Sequence, residues 1–256
     1  MRISVIGTGY VGLVSGACFA EIGHDCVCVD VDAAKVDRIN RGQAPIHENG
    51  LDALLLRHVG KRLRASTDLA AAVRASDVTF IAVGTPFDGA RIDLSFVREV
   101  ARQIGAALRD KDGYHVVVVK STVVPGTTDE VVLPEIEKAS GRRAGADFGV
   151  GMNPEFLTEG VAIDDFMRPD RIVIGGMDAR TVALLRGVYA SFADTPVMET
   201  NNKTAETIKY ASNAVLATMI SFSNEIARLC SAVGVDALDV MRGVHEAAHF
   251  TTQRGS

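Results

Sequence analysis

Apolar positions along this chain recur at two periods, one close to two residues and one close to 3.6. Arg2-Ile3-Ser4-Val5-Ile6 is short and apolar and predicts a buried strand; residues 13–22 continue at helical spacing up to Gly23. Cys26-Val27-Cys28-Val29 predicts a second strand. Helices at 33–40 and 51–59, a strand at 62–65 and a helix at 68–75 follow. A β-branched run at 77–83 stops at the turn Gly84-Thr85-Pro86, and 94–108 is amphipathic and helical. Residues 114–120 contain four consecutive valines, the continuous apolar run of a strand covered on both faces. A helix at 125–139, a strand at 148–152, a strand at 171–175, a helix at 179–192 and a strand at 196–199 complete the series. This alternation predicts an α/β fold, a doubly wound and mostly parallel Rossmann-type sheet. From 204 to 233 there is neither Gly nor Pro, and Gly234 supplies a stop. Such a helix would be roughly 45 Å long. Ile208, Val215, Phe222 and Leu229 recur at sevens, with Met219, Ile226 and Val233 beside them, a coiled-coil-like seam. The seam predicts burial against a second subunit or domain. A last helix is expected at 237–244, and 245–256 carries no readable pattern.

The first strand runs straight into Gly7-Thr8-Gly9-Tyr10-Val11-Gly12, and the second ends in Asp30. Strand, glycine turn, helix, strand and acid in this register are the fingerprint of a dinucleotide site. Gly7 permits the tight turn, Gly9 lets the backbone approach a pyrophosphate, and Gly12 lets the helix pack on the strand. The helix N-terminus offers free N–H groups to the phosphates. Asp30 can accept hydrogen bonds from the adenosine ribose and repels a 2′-phosphate, which favours NAD over NADP.

Composition narrows the class further. Of 256 residues, 47% are hydrophobic and 23% charged, an ordinary globular balance. A net charge of −5 points to neither a nucleic-acid nor a membrane-surface partner. No apolar stretch approaches the ~18 residues of a membrane span, and the apolar start is too short for a signal sequence. Cys18, Cys26, Cys28 and Cys230 lack metal-ligand spacing and fall within predicted helices and strands. They are expected to be reduced core thiols of a cytoplasmic protein that binds no metal.

Polar residues interrupt the pattern at one kind of place. Asp30, Thr85, Thr122 and Glu155 each follow the carboxyl end of a predicted buried strand, the edge where open parallel sheets bind ligands. On the long helix, Lys209 and Asn213 are four residues apart and share a face.

With these residues in place, the chain resembles the UDP-glucose 6-dehydrogenase family, within the wider UDP-glucose/GDP-mannose dehydrogenases. The resemblance is carried by Gly7 to Leu13, Val29-Asp30-Val31-Asp32 with Lys35, and Pro45-Ile46-His47-Glu48-Asn49-Gly50-Leu51. It continues in Val83-Gly84-Thr85-Pro86, Lys120-Ser121-Thr122-Val123-Val124-Pro125-Gly126-Thr127 and Asn153-Pro154-Glu155-Phe156-Leu157-Thr158-Glu159-Gly160. Phe166-Met167-Arg168-Pro169-Asp170-Arg171 and the stretch from Ala205-Glu206 to Asn213 complete it. His47-Glu48-Asn49 stands where the family more often has Tyr-Glu-Pro, a departure in a loop.

The resemblance implies oxidation of a sugar's primary alcohol to a carboxylate in two hydride transfers to NAD, with UDP-glucose as substrate. It implies that Glu155 and Lys209 manage the proton on the C6 oxygen, Lys209 as a fixed positive charge. Thr122 and Asn213 would hold the oxygen or an ordered water, and Glu155 would help activate water for the final hydrolysis. Glu155, Phe156, Leu157, Thr158 and Glu159 would line the sugar-nucleotide site with Lys209 and Asn213. Gly7, Gly9, Tyr10, Val11, Gly12, Asp30, Lys35, Thr85, Thr122 and Glu159 would contact NAD. It also implies an NAD-binding domain over 1–200 and the start of a helical dimerisation domain over 201–256, with a homodimer formed through the 204–233 helix.

The family captures its aldehyde on a cysteine thiolate in a glycine-rich stretch beyond the long helix. None of the four cysteines has that setting, so the chain is expected to be an N-terminal portion, without a C-terminal UDP-binding domain and inactive by itself. Two other readings fit part of the pattern. A β-hydroxyacid dehydrogenase shares the NAD domain and a Lys-x-x-x-Asn helix, although 153–159 and 166–171 speak against it. A non-catalytic NAD-binding or dimerisation module is the other.

Overall fold

The computed structural model describes residues 1–245. Eight strands form one sheet: β1 (Arg2–Ile6), β2 (Asp25–Val29), β3 (Leu63–Ser66), β4 (Val78–Ile81), β5 (His115–Val119), β6 (Phe148–Met152), β7 (Ile172–Gly176) and β8 (Val197–Thr200). Their order is β3-β2-β1-β4-β5-β6-β7-β8, with every neighbouring pair parallel except β6 and β7. The fold is therefore the mostly parallel, doubly wound sheet that the alternation predicts, and the order reverses between β1 and β4.

The valine run explains the centre of the sheet. All five residues of β5 are buried, and successive side chains point to opposite faces. Val116 and Val118 pack in one core layer with Phe19, Phe80 and Leu13. Val117 and Val119 pack in the other with Ile81, Ile104 and Ile136. Flanking these layers are α1 (Tyr10–Glu21), α2 (Ala33–Asn40), α3 (Leu51–His58), α4 (Leu69–Ala75), α5 (Ser95–Leu108), α6 (Leu133–Ser140), α7 (Ala162–Met167) and α8 (Ala179–Val188). Aspartates start three of them. Asp32, Asp68 and Asp178 accept hydrogen bonds from first-turn N–H groups of α2, α4 and α8.

Besides α8, which stops at Val188 rather than running to 192, two elements differ from expectation. The helix expected over 125–139 begins later, as a π-helical turn at Thr128–Val132 that runs into α6. Pro134 has no N–H to donate in the α-helical ladder, which accounts for the widened register. The second difference is α7, six residues that no periodicity foretold. A helix that short has little room for an apolar stripe, and tertiary contacts hold its start: Ala162 N–H donates 3.0 Å to the carboxylate of Glu48.

The chain divides into two compact units, Met1–Lys209 and a second beginning at Tyr210. The division falls inside α9 (Asn202–Val233). In the first unit, buried Glu206 anchors the start of α9 by accepting from Thr128 N–H at 2.8 Å and Thr128 Oγ1 at 2.7 Å. The second unit holds the rest of α9 and α10 (Ala237–His245), joined at Gly234 with φ +75°. Along this part of α9, Val215, Leu216, Met219, Ile220, Phe222, Leu229 and Val233 are exposed. Among the described residues, no helix is long and apolar enough to cross a membrane.

Candidate functional site

Each part of the glycine turn meets the geometry its sequence demands. Gly7 has φ +102°, and a Cβ there would stand 2.6 Å from the Ala82 carbonyl oxygen. A Cβ on Gly12 would fall 1.9 Å from the Gly7 carbonyl oxygen. At Gly9 a Cβ would meet nothing within 4 Å. Two glycines are thus required by packing, and the third keeps open the space above the N-terminus of α1.

That space opens on a cleft of about 470 Å³ at the β1–β4 reversal, bordered by Gly7, Gly9, Asp30, Lys35, Leu69 and Val83 among others. Asp30 Oδ2 accepts from Thr8 N–H at 2.9 Å and from the Thr8 hydroxyl at 2.5 Å, while Oδ1 accepts from Asp32 N–H at 3.0 Å. Burial works against its charge, but these hydrogen bonds and Lys35, 4.0 Å away, hold the carboxyl below the usual aspartate range. An anionic acceptor is therefore fixed at the tip of β2. Open backbone above a helix N-terminus, apolar walls and a carboxylate at the far end suit a dinucleotide's pyrophosphate, base and ribose.

A second cluster lies past the ends of β5 and β6. Lys209 Nζ sits 2.8 Å from Glu155 Oε1, and the two side chains are only 8% and 10% exposed. Glu155 Oε2 also accepts from Leu157 N–H at 2.7 Å, which bends the Glu155–Glu159 segment. Phe156 packs under Arg171 at 4.2 Å and lies 5.5 Å from Lys209 Nζ. Thr85 Oγ1 donates 2.8 Å to the Thr122 carbonyl, joining the loops after β4 and β5. The structure thus brings Glu155 to Lys209, Thr85 to Thr122, and Gly7, Gly9, Asp30 and Lys35 to one cleft. Tyr10 and Val11 open α1, Thr158 and Glu159 are exposed, and Asn213 belongs to the second unit.

Three polar residues beside this cluster were not singled out as site residues. Lys120 is buried and donates 2.8 Å to Asn153 Oδ1, which also accepts from the Tyr189 hydroxyl at 2.6 Å. Burial lowers the Lys120 ammonium to about 8, Glu155 opposes that shift and Lys209 adds to it. A lysine at the end of a strand reads as a solvated boundary residue, so only the sheet's packing reveals it. The cysteines carry no comparable chemistry. All four are free and buried, and burial pushes the Cys18 and Cys28 thiols up to about 12. No cluster of metal-ligating residues occurs among the described residues.

Comparison with known proteins decides the family. Residues 1–193 match the NAD binding domain of the UDP-glucose/GDP-mannose dehydrogenase family, and residues 203–254 match that family's central domain. The chain belongs to this family. Its cofactor is accordingly NAD, and the residues around the glycine turn fit that group. The UDP-glucose 6-dehydrogenase of Rhizobium meliloti is 51% identical over 254 residues, covering 95% of this chain and 56% of the relative. UDP-glucose 6-dehydrogenase AglM of Haloferax volcanii is 47% identical over 249 residues, covering 95% and 58%. A crystal structure of a ternary complex of GDP-mannose dehydrogenase from Pseudomonas aeruginosa superposes with a TM-score of 0.92 at 46% identity, covering 96% of this chain and 57% of that one. The chain thus spans little more than half the length of these family members.

Proposed function

We propose that this chain supplies the NAD cleft and part of the catalytic machinery of an enzyme that oxidises the C6 alcohol of UDP-glucose to UDP-glucuronate. The observation that carries the reading is the buried Glu155–Lys209 pair, together with the β1–β4 cleft. NAD would supply the hydride acceptor, one molecule for each of the two oxidations that take the C6 alcohol to the carboxylate. Glu155 takes the hydroxyl proton, and Lys209 stands as a fixed cation against the negative charge growing on the oxygen. A preorganised charge in a nearly dry site stabilises such a transition state far more than it would in water. Thr122 and Asn213 hold the oxygen or an ordered water, the role of Asn213 resting on sequence resemblance alone. Glu155 then assists the water that completes the carboxylate. Glu155, Phe156, Leu157, Thr158 and Glu159 form one wall of the sugar-nucleotide site. The glycine turn with Tyr10 and Val11, and Asp30, Lys35, Thr85, Thr122 and Glu159, contact NAD. In this reading residues 1–200 are the NAD-binding domain and 201–256 begin a helical domain that pairs two copies through α9.

None of the four cysteines suits thiol capture of an aldehyde, because each is buried and a thiolate must form to attack. The 256-residue chain alone is therefore expected to produce no UDP-glucuronate. A GDP-mannose substrate is the second reading, favoured by the likeness to the GDP-mannose dehydrogenase structure. NADH formation by the complete protein with UDP-glucose, GDP-mannose and a small β-hydroxyacid separates the readings. Two NADH per UDP-glucose supports the proposal, and turnover of only the hydroxyacid overturns it.

A further inference from the structure

Glu48 is a carboxylate with unusual surroundings. It sits in the loop between α2 and α3, is 6% exposed, and borders neither the NAD cleft nor the cavity beside Glu155. Its Oε2 accepts from the Tyr10 hydroxyl and from Gly160 N–H at 2.8 Å, and its Oε1 accepts from Ala162 N–H at 3.0 Å. Gly160 N–H also reaches the Tyr10 oxygen at 3.0 Å, and Asn49 Nδ2 donates 2.8 Å to the Gly160 carbonyl. Both backbone groups of Gly160 are thereby held by the same loop. Burial alone would raise the Glu48 carboxyl, but its donors outweigh burial and hold it below the usual range. It remains a charged acceptor, and charge-assisted hydrogen bonds are the strong ones.

The three tied segments have separate tasks. Tyr10 is the first residue of α1 and follows the Gly9 backbone that faces the open cleft. Gly160 and Ala162 close the segment that begins at Glu155, which reaches Lys209. We propose that Tyr10, Glu48 and Gly160 form a latch that couples NAD occupancy at the glycine turn to the order of the 155–162 segment. Glu48 is a positioning residue that touches neither ligand. The proposal rests on the functional reading above in taking 155–159 as a wall of the substrate site and Tyr10 as an NAD contact. Ordering the turn with NAD fixes the Tyr10 ring, its hydroxyl fixes the Glu48 carboxylate, and the carboxylate fixes the amides of Gly160 and Ala162. Local opening of the segment then becomes rarer without any change of fold.

Amide hydrogen exchange on this chain, with and without saturating NAD, tests the latch without any sugar nucleotide. The readout is the ratio of Ala162 exchange rates in the two states, so a hydrogen bond lost outright by a variant cancels. In the unaltered chain NAD should slow Ala162 by at least about 5-fold, the low end of couplings between linked sites. In Glu48→Gln, which sets an NH2 group against backbone donors, the glycine-turn amides should still be protected by NAD, while the ratio at Ala162 falls to about 1. Undiminished slowing of Ala162 in Glu48→Gln overturns the latch, as does an unaltered chain in which NAD protects the turn and leaves Ala162 unchanged. Failure to oxidise any nucleotide sugar would overturn the substrate assignment and leave this result standing.

Discussion

At the scale of single residues, chemistry is concentrated in a few charges that burial makes effective. Asp30 is held ionised by Thr8 and Asp32, so a 2′-phosphate would meet a fixed negative charge. NADP should bind at least ~10-fold more weakly than NAD, about 1.4 kcal/mol; equal affinities by calorimetric titration would overturn the role of Asp30. Lys209→Ala removes the cation paired with Glu155 at 2.8 Å. In the complete protein it should lower kcat by roughly 100- to 1,000-fold, the usual loss for one preorganised charge. Retention of more than a tenth of the NADH rate would remove Lys209 from the mechanism.

At the scale of elements, Gly9 and Gly12 of the turn answer different demands, and substitution should separate them. Gly9 has φ −67° and ψ −171°, a backbone any residue adopts, and room for a Cβ. Gly9→Ala should therefore keep its melting temperature within a few degrees and lose NAD affinity, because the methyl group fills the pyrophosphate's approach. Gly12→Ala places a Cβ 1.9 Å from the Gly7 carbonyl. It should cost ~1–3 kcal/mol or more of stability, the range of overpacked cores, and lower the melting temperature itself. Thermal unfolding and NAD titration of both variants check the contrast. If Gly9→Ala melted far below Gly12→Ala, the packing account of the turn would be wrong.

At the scale of the whole molecule, two features govern assembly and acid tolerance. The apolar face of α9 that includes Phe222 and Leu229 is exposed within the second unit. A large exposed apolar patch marks an interface, so the chain should dimerise and Phe222→Asp should be monomeric by light scattering. An unaltered chain that is monomeric at high concentration would contradict this. In the core, His115 Nε2 is hydrogen-bonded to Thr79 Oγ1 at 2.8 Å, and burial lowers its imidazole to about 3. Its folded-state pKa lies below the ordinary 6.5, so only the unfolded chain binds the proton between those values. The stability it contributes is full above about 6.5 and falls by about 1.4 kcal/mol per pH unit as pH drops towards 3. Denaturant unfolding from pH 7 to 5 should show this slope, and His115→Gln should flatten it.

Local physics made most of the fold and the cofactor cleft legible in the sequence. A buried parallel strand must be apolar throughout, so the four valines of β5 and the run Phe148–Met152 announced themselves. A glycine turn that needs φ above zero and a Cβ-free approach admits few other residues, so Gly7 and Gly12 were readable without coordinates. Strand ends likewise pointed to Asp30, Thr85, Thr122 and Glu155. Tertiary structure alone decided what comes together across long separations. The pairing of Glu155 with Lys209, the burial of Lys120 and the four donors and acceptors gathered by Glu48 and Asn49 have no periodic signature. Nor does α7, whose few residues are helical because distant groups hold its first turn. Periodicity records which face of an element is dry, whereas the meeting of two polar groups from distant segments depends on the packing of everything between them.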